Sequence, residues 1–199
     1  AKYDYGLASL KPINTNNLTN DLNRDVNSMR KLIAENALTV LKKTDAVFFP
    51  LTAKKDSVKK QIVYVNVGNS ANNAMANRMR MDYDADVINF SYQQNDSETA
   101  KMISEIKNKY NKVIIGIHNY TRFPANNFGI SKNAVDLVTQ LQQKTKAITF
   151  VFGNVYAVKN WCNAKNLVAC YEDDSIVQNA AVDLLQGKIA AQGKLPVTV

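Results

Sequence analysis

From about residue 61 onward, hydrophobic positions follow two alternating patterns, and the alternation predicts the fold. Runs rich in β-branched residues at 62–67, 87–90, 113–117, 148–152 and 167–171 are nearly continuous in apolar character, as expected for strands covered on both faces. Between them, apolar residues recur at helical spacing: Met102, Ile103, Ile106 and Tyr110; then Ala134, Val135, Val138 and Leu141; then Ile176, Val177, Ala180, Ala181, Leu184 and Leu185. Ser131 is placed to cap the second of these helices, Asp173, Asp174 and Ser175 to cap the third, and Gly187 to stop it. Strands alternating with helices over short connections form parallel sheets with right-handed crossovers. The predicted class is α/β: a three-layer αβα sandwich with a mostly parallel, doubly wound, flavodoxin-like sheet.

The first sixty residues break the pattern. Residues 1–23 are polar, rich in Asn and interrupted by Pro12, and read as an interdomain arm. A helix over 24–36 and a strand over 37–41 follow, so the α/β domain is expected to span 24–199. The tail 194–199 is too short for a helix and is expected to end as a strand or edge segment.

Composition changes this picture little. The chain has 199 residues, 46% hydrophobic and 21% charged, enough to bury one sizeable core. No apolar run approaches the roughly 18 residues of a membrane span. The chain opens at Ala1 without a leader pattern, the expectation for an excised segment or a mature product. The net charge of +8 raises the question of nucleic acid. The basic residues cluster only briefly, at Lys42-Lys43, Lys54-Lys55 and Lys59-Lys60, without the stripe a phosphate backbone requires, so a solvated basic face is expected. Cys162 and Cys170 read as small buried hydrophobes. One His and two separated Cys do not make a zinc site.

In an open α/β sheet, ligands sit beyond the carboxyl ends of the strands. Here those ends carry Gly68-Asn69-Ser70, Ser91-Tyr92-Gln93, residues 118–122, Gly153-Asn154 and Tyr171-Glu172-Asp173. There is no glycine-rich dinucleotide or phosphate loop and no nucleophile elbow, and no cofactor is implied. His118, the single histidine, reads as a strand-end residue satisfying a backbone group rather than as a base. The acids Glu172, Asp173 and Asp174 read as helix-start residues, because glycosidic chemistry needs two carboxyl groups facing each other and no partner for them is evident.

Several segments together resemble a known family. Phe152-Gly153-Asn154-Val155-Tyr156, Leu167-Val168-Ala169-Cys170-Tyr171-Glu172, Gln178-Asn179-Ala180-Ala181, Leu184-Leu185-Gln186-Gly187 and the closing Gly193-Lys194-Leu195-Pro196-Val197 resemble the C-terminal α/β domain of glycoside hydrolase family 3. The front end is similar too: Ala1-Lys2-Tyr3-Asp4-Tyr5-Gly6-Leu7 resembles the exit from the barrel, and residues 34–43 with Phe49-Pro50-Leu51 resemble the entry to the second domain. The resemblance implies that the nucleophile, an Asp, lies on a (β/α)-barrel domain of the same polypeptide, the expected partner. In glucosidase-type relatives the loop after the strand at 113–117 lends a Glu as acid/base. Here Arg122 stands in its place and no acid occurs from His118 to Ser131; an Arg does not release its proton near neutral pH.

The resemblance therefore implies a parent hydrolase of the β-N-acetylhexosaminidase branch, with an Asp–His pair on the barrel, an amino-sugar glycan such as a peptidoglycan fragment as substrate, and a silent second domain. Asn119, Tyr120 and Arg122 are the expected cleft-lining residues. The family also implies a bacterial periplasm or cell surface. The competing expectations are the second domain of a β-glucosidase, and an independent small-ligand-binding α/β module.

Overall fold

The computed structural model describes residues 3–11, 14–52 and 61–198. Lys54-Lys55, Lys59-Lys60, Pro12, Ala1-Lys2 and Val199, which figured in the readings above, lie outside the described residues. Six strands form one sheet: β1 (Thr39–Lys43), β2 (Ile62–Val67), β3 (Asp86–Phe90), β4 (Lys112–Ile117), β5 (Ala147–Val151) and β6 (Asn166–Ala169), in the order β1-β6-β5-β4-β2-β3. All neighbours pair in parallel except β1, which runs antiparallel to β6 with an irregularity between Val40 and Lys42. Without that edge strand the order is the flavodoxin-like one expected from the alternation.

The pleat sorts the side chains into two cores. Val63, Val65, Val67, Val113, Ile115 and Ile117 face α4 (Asp96–Lys109) and α5 (Lys132–Lys144), where Ile103, Ile106, Leu137, Val138 and Leu141 are buried. Ile62, Tyr64, Ile114, Ile148, Phe150 and Val168 face the opposite layer, made by α2 (Val26–Ala37), α3 (Ala74–Tyr83) and α6 (Ser175–Leu185). A strand buried on both faces must be apolar at successive positions, which is why the β2 and β4 runs are nearly unbroken.

The caps carry much of the local specification. Asn95 and Glu98 form a reciprocal capping box at α4, Ser131 accepts from Ala134 N at α5, and Asp174 accepts from Ile176 N and Val177 N at α6. Gly187, at φ +72, ends the chain's last helical turn as expected.

Three features differ from the sequence reading. Helix α3 was hidden, because Met75, Ala76 and Met79 are its only buried side chains in a polar, Asn-rich run. The tail 190–198 forms no strand: Gly193 N donates to Leu38 O, and the Gly193 Cα lies so close to Ala37 O and Thr39 Oγ1 that no side chain fits there. Cys170 is buried as read, but Cys162 is exposed on the turn after Trp161, and both thiols are free. Among the described residues, no helix is long and apolar enough to cross a membrane.

Candidate functional site

Strands β2 and β4 are neighbours, but the chain leaves β2 for β3 on one side and enters β4 from that side through α4. The carboxyl ends of β2 and β4 therefore flank the point where the winding reverses, the usual ligand position in such sheets. The two ends meet through His118 N, which donates to Val67 O at 2.9 Å, while Gly68 N ties the end of β2 to that of β3 by donating to Phe90 O at 2.7 Å. Gly68 (φ +92) has no room for a side chain: a Cβ would run into His118 O and lie 2.8 Å from the Tyr92 ring.

His118 is fully buried at this junction and stacked on Phe152, with ring centroids 4.4 Å apart. Its Nδ1 lies 2.7 Å from Asp173 Oδ1, and its Nε2 lies 2.7 Å from Tyr64 Oη and 3.2 Å from Asn73 Nδ2. The orientation of Asn73 fixes the tautomer. Its Oδ1 accepts from Ala76 N to cap α3, which turns Nδ2 toward the ring as a donor. Nε2 is therefore the accepting nitrogen, and the Nδ1 proton goes to Asp173. Tyr64 donates its hydroxyl proton to the same nitrogen. Burial drives the Tyr64 phenol far above its ordinary range, only partly offset by Asn73.

Asp173 joins this network to the loop above it. Oδ1 accepts from His118 and from Gln178 Nε2 at 2.8 Å, while Oδ2 accepts from Asn119 N at 2.8 Å. Burial pushes its carboxyl up, but the bond and attraction to His118, with those from Asn119 N and Gln178, outweigh burial and hold it below the ordinary carboxylate value. A depressed folded value means that Asp173 stabilises the fold above the unfolded carboxyl pKa of about 3.9, and that this contribution is lost as pH falls through the folded value. Asp173→Asn is accordingly expected to cost about 1–2 kcal/mol at pH 7, with the gap from wild type closing below about pH 4. Urea midpoints at pH 7 and pH 3 check this; a gap independent of pH would mean that the charge is not what stabilises.

The structure places the three expected cleft residues on the loop after β4, and it occupies two of them. Asn119 (φ 51) donates Nδ2 to Gly68 O, and Tyr120 donates its hydroxyl to Asn154 O at 3.0 Å while packing edge-on against buried Phe128. Burial raises the Tyr120 phenol far above its ordinary range. Only the Arg122 guanidinium points outward, stacked 4.9 Å over the exposed Phe123 ring, while Arg122 O accepts from Asn154 Nδ2 at 2.7 Å. The loop closes on itself: Thr121 N donates to Phe128 O, and Asn126, Asn127 and Phe128 take consecutive left-handed conformations. Such a turn is unfavourable for L-residues; here it buries Phe128 as a plug and holds the tip at 122–126 in the open.

Two readings of single residues change at this site. His118 satisfies side chains, Tyr64 and Asp173, rather than a backbone group alone. Of the acid cluster, Asp174 caps α6 as read, but Asp173 turns away from the helix to hold His118 and Asn119. Sequence reasoning passed over Tyr64, Asn73 and Gln178. The available signal was Gly116: a glycine inside a β-branched strand marks a close approach, and it lies against Tyr64 Oη and the His118 ring. Among the described residues, no group of three or more His, Cys, Asp or Glu side chains is placed to hold a metal ion.

No family model matches the chain, and no curated protein matches its sequence. Solved structures do match its shape. A fungal multi-domain GH3 beta-N-acetylglucosaminidase superposes with a TM-score of 0.67 at 18% identity, over 86% of this chain and 19% of that one. A glycoside hydrolase family 3 beta-N-acetylglucosaminidase from Paenibacillus sp. gives 0.66 at 18% identity, over 85% and 32%. A beta-glucosidase from Listeria innocua in complex with isofagomine gives 0.60 at 13% identity, over 81% and 25%. The chain thus spans less than a third of the length of each of these enzymes. It has the fold of the α/β portion that they share.

Proposed function

We propose that the chain is the accessory α/β domain of a family 3 glycoside hydrolase, silent on its own, whose parent cleaves β-linked N-acetylhexosamine residues with groups carried by a barrel domain. The observation that carries this reading is the state of Asp173, the carboxylate that holds the base of the loop after β4. Asp173 accepts three hydrogen bonds and is held ionised below its ordinary range, so it has no proton to give at neutral pH. The loop itself offers Arg122 where an acid would be needed. A parent that draws nothing catalytic from this domain has both its nucleophile and its acid/base on the barrel, as the N-acetylglucosaminidase branch does. The TM-scores of 0.67 and 0.66 against structures bearing that title, beside 0.60 for the glucosidase, are in keeping with it. By the same resemblance the parent acts in the periplasm or at the cell surface of a bacterium.

One assay tests the reading with a chromogenic β-N-acetylglucosaminide. The 199-residue chain is expected to give no inhibitor-sensitive turnover and the parent polypeptide to give it. In the parent, Arg122→Ala is expected to raise KM by about tenfold with kcat nearly unchanged, the loss of one charge-assisted bond to bound sugar. Turnover by the chain alone would overturn the accessory reading, and unchanged kinetics in Arg122→Ala would remove that side chain from the cleft.

A further inference from the structure

The amino ends of the parallel strands, opposite the candidate site, gather charge that the sequence keeps apart. In the order β1-β6-β5-β4, Lys43, Lys165, Lys146 and Lys112 each stand where their strand meets that end of the sheet. The register sets them side by side. Val113 pairs with Ala147, which puts Lys112 beside Lys146, and Lys43 pairs with Asn166, the residue after Lys165. At about 4.8 Å between strands the row runs about 14 Å. Helix α5, which returns from the far end of the sheet, finishes there with Lys144 exposed.

Nothing acidic interrupts the middle of the row: residues 111–112, 145–146 and 164–165, which lead into β4, β5 and β6, include no Asp or Glu. Burial, and after it the like charge of Lys146, pulls the Lys112 ammonium below its ordinary range. Elsewhere basic side chains are matched. Arg24 pairs with Asp21 of the short helix α1 (Leu18–Asn23), Arg30 with Asp174, Arg78 with Asp82 and Asp183, Lys101 with Glu105 and Lys132 with Asp136. Among the described residues, Lys112, Lys146 and Lys165 make no such pair. Like charges on neighbouring strands repel, and a bound anion relieves them.

The chemistry of the row selects its occupant. Every member is Lys, a point charge on a flexible stem, rather than Arg with its bidentate fork. Such a row suits a ligand whose charges repeat along a chain without fixed orientation. A single-stranded nucleic acid calls for open aromatic platforms, but here Phe49 lies partly buried beneath Lys43 and Tyr110 is buried. A bilayer surface calls for apolar side chains beside the charges, and the exposed large hydrophobics lie off these strands.

We propose that Lys43, Lys112, Lys144, Lys146 and Lys165 form a track that binds a linear phosphodiester polymer without bases, a polyol phosphate chain, by its charges alone. The track lies at the far end of the sheet from the loop after β4 and is independent of what the parent hydrolyses. Titrating the 199-residue chain with poly(glycerol phosphate) tests it. Binding should weaken about fiftyfold between about 50 and 200 mM salt, the counterion release expected for roughly four contacts. Lys146→Ala/Lys165→Ala alters two exposed side chains and should keep the wild-type unfolding midpoint. It should weaken binding about tenfold at the lower salt and reduce the salt slope by about 1.4. Lys101→Ala/Lys132→Ala, an equal loss of charge off the row, should bind within about twofold of wild type. Equal losses in the two double variants would overturn the track and leave net charge as the cause. So would an absence of binding, or binding of oligo-dT with the same number of phosphates about tenfold more tightly, which would mean that bases are read. Co-sedimentation with phosphatidylglycerol vesicles at a salt concentration that releases the polymer would overturn it as well.

Discussion

Gly116→Ala is expected to destabilise the fold by about 3 kcal/mol, the upper end of what one added methyl does in a packed core, and to do so by pushing apart two rings. The new Cβ would overlap Tyr64 Oη and His118 Nε2 and lie 3.1 Å from His118 Cδ2. Neither ring can retreat: both are fully buried, and His118 already lies against Phe152. Nor can the backbone shift, because β4 is hydrogen-bonded between β2 and β5, with Gly116 opposite Asn66 and Phe150. The methyl must therefore break the Tyr64–His118 bond. A urea titration with unchanged m-value would show the loss as a lower midpoint. A change below about 0.5 kcal/mol, ordinary for a surface site, would mean that the rings have room that the packing denies them.

The legibility of this fold in the sequence follows the same division between pattern and geometry. Strands and the helices α4, α5 and α6 could be read because each writes its burial into spacing: two-sided strands as continuous runs, helices as stripes such as Ile103–Ile106 and Ala134–Val138–Leu141. Helix α3 could not, since its cover of β2 and β3 uses two methionines and an alanine among Asn and Arg. The tail was misread because being too short for a helix says nothing of whether a strand edge is available to pair with. The tail reaches β1's neighbourhood through Gly193 N and Leu38 O.

At the site, position was legible and partnership was not. The carboxyl ends of the strands could be listed, and His118 stood out as the single histidine. Yet Tyr64, Asn73, His118 and Asp173 meet only after β2, α3, β4 and the start of α6 have been assembled, across separations such as 54 and 55 residues. No spacing rule links them. Asp173 and Asp174 illustrate the limit: adjacent, chemically identical, and equally good cap candidates, they are divided between a network and a cap only by the assembled fold, which brings His118 and Asn119 N to one carboxylate and leaves the other to the start of α6.

The second large effect belongs to His118 itself. His118→Ala removes a fully buried ring, leaving a cavity beside Phe152, stranding Tyr64 Oη and taking one of the two donors from Asp173 Oδ1. Asp173 Oδ1 keeps Gln178 Nε2 as a donor, so the cavity, the unmet Tyr64 hydroxyl and the lost carboxylate bond together are expected to cost about 4 kcal/mol. Tyr64→Phe takes away one hydroxyl and leaves Nε2 facing Asn73 alone, at about 1 kcal/mol. The two changes share a bond, so they should not add: the double variant is expected to fall short of the sum by about 1 kcal/mol, measured from urea midpoints of all four proteins. Additivity within about 0.3 kcal/mol would show that the two rings only fill space, and that the chain of bonds from Tyr64 through His118 to Asp173 is incidental. The same variant carries a local signature that simple destabilisation lacks. With His118 gone, Asp173 is free to turn away from Asn119 N, so that amide should exchange faster than amides of β4 itself, under conditions where global unfolding is too rare to contribute. Exchange at Asn119 that merely tracks β4 would uncouple the buried network from the loop, and the stable placement of Arg122 above the sheet would then have to come from the Tyr120–Asn154 and Phe128 contacts alone.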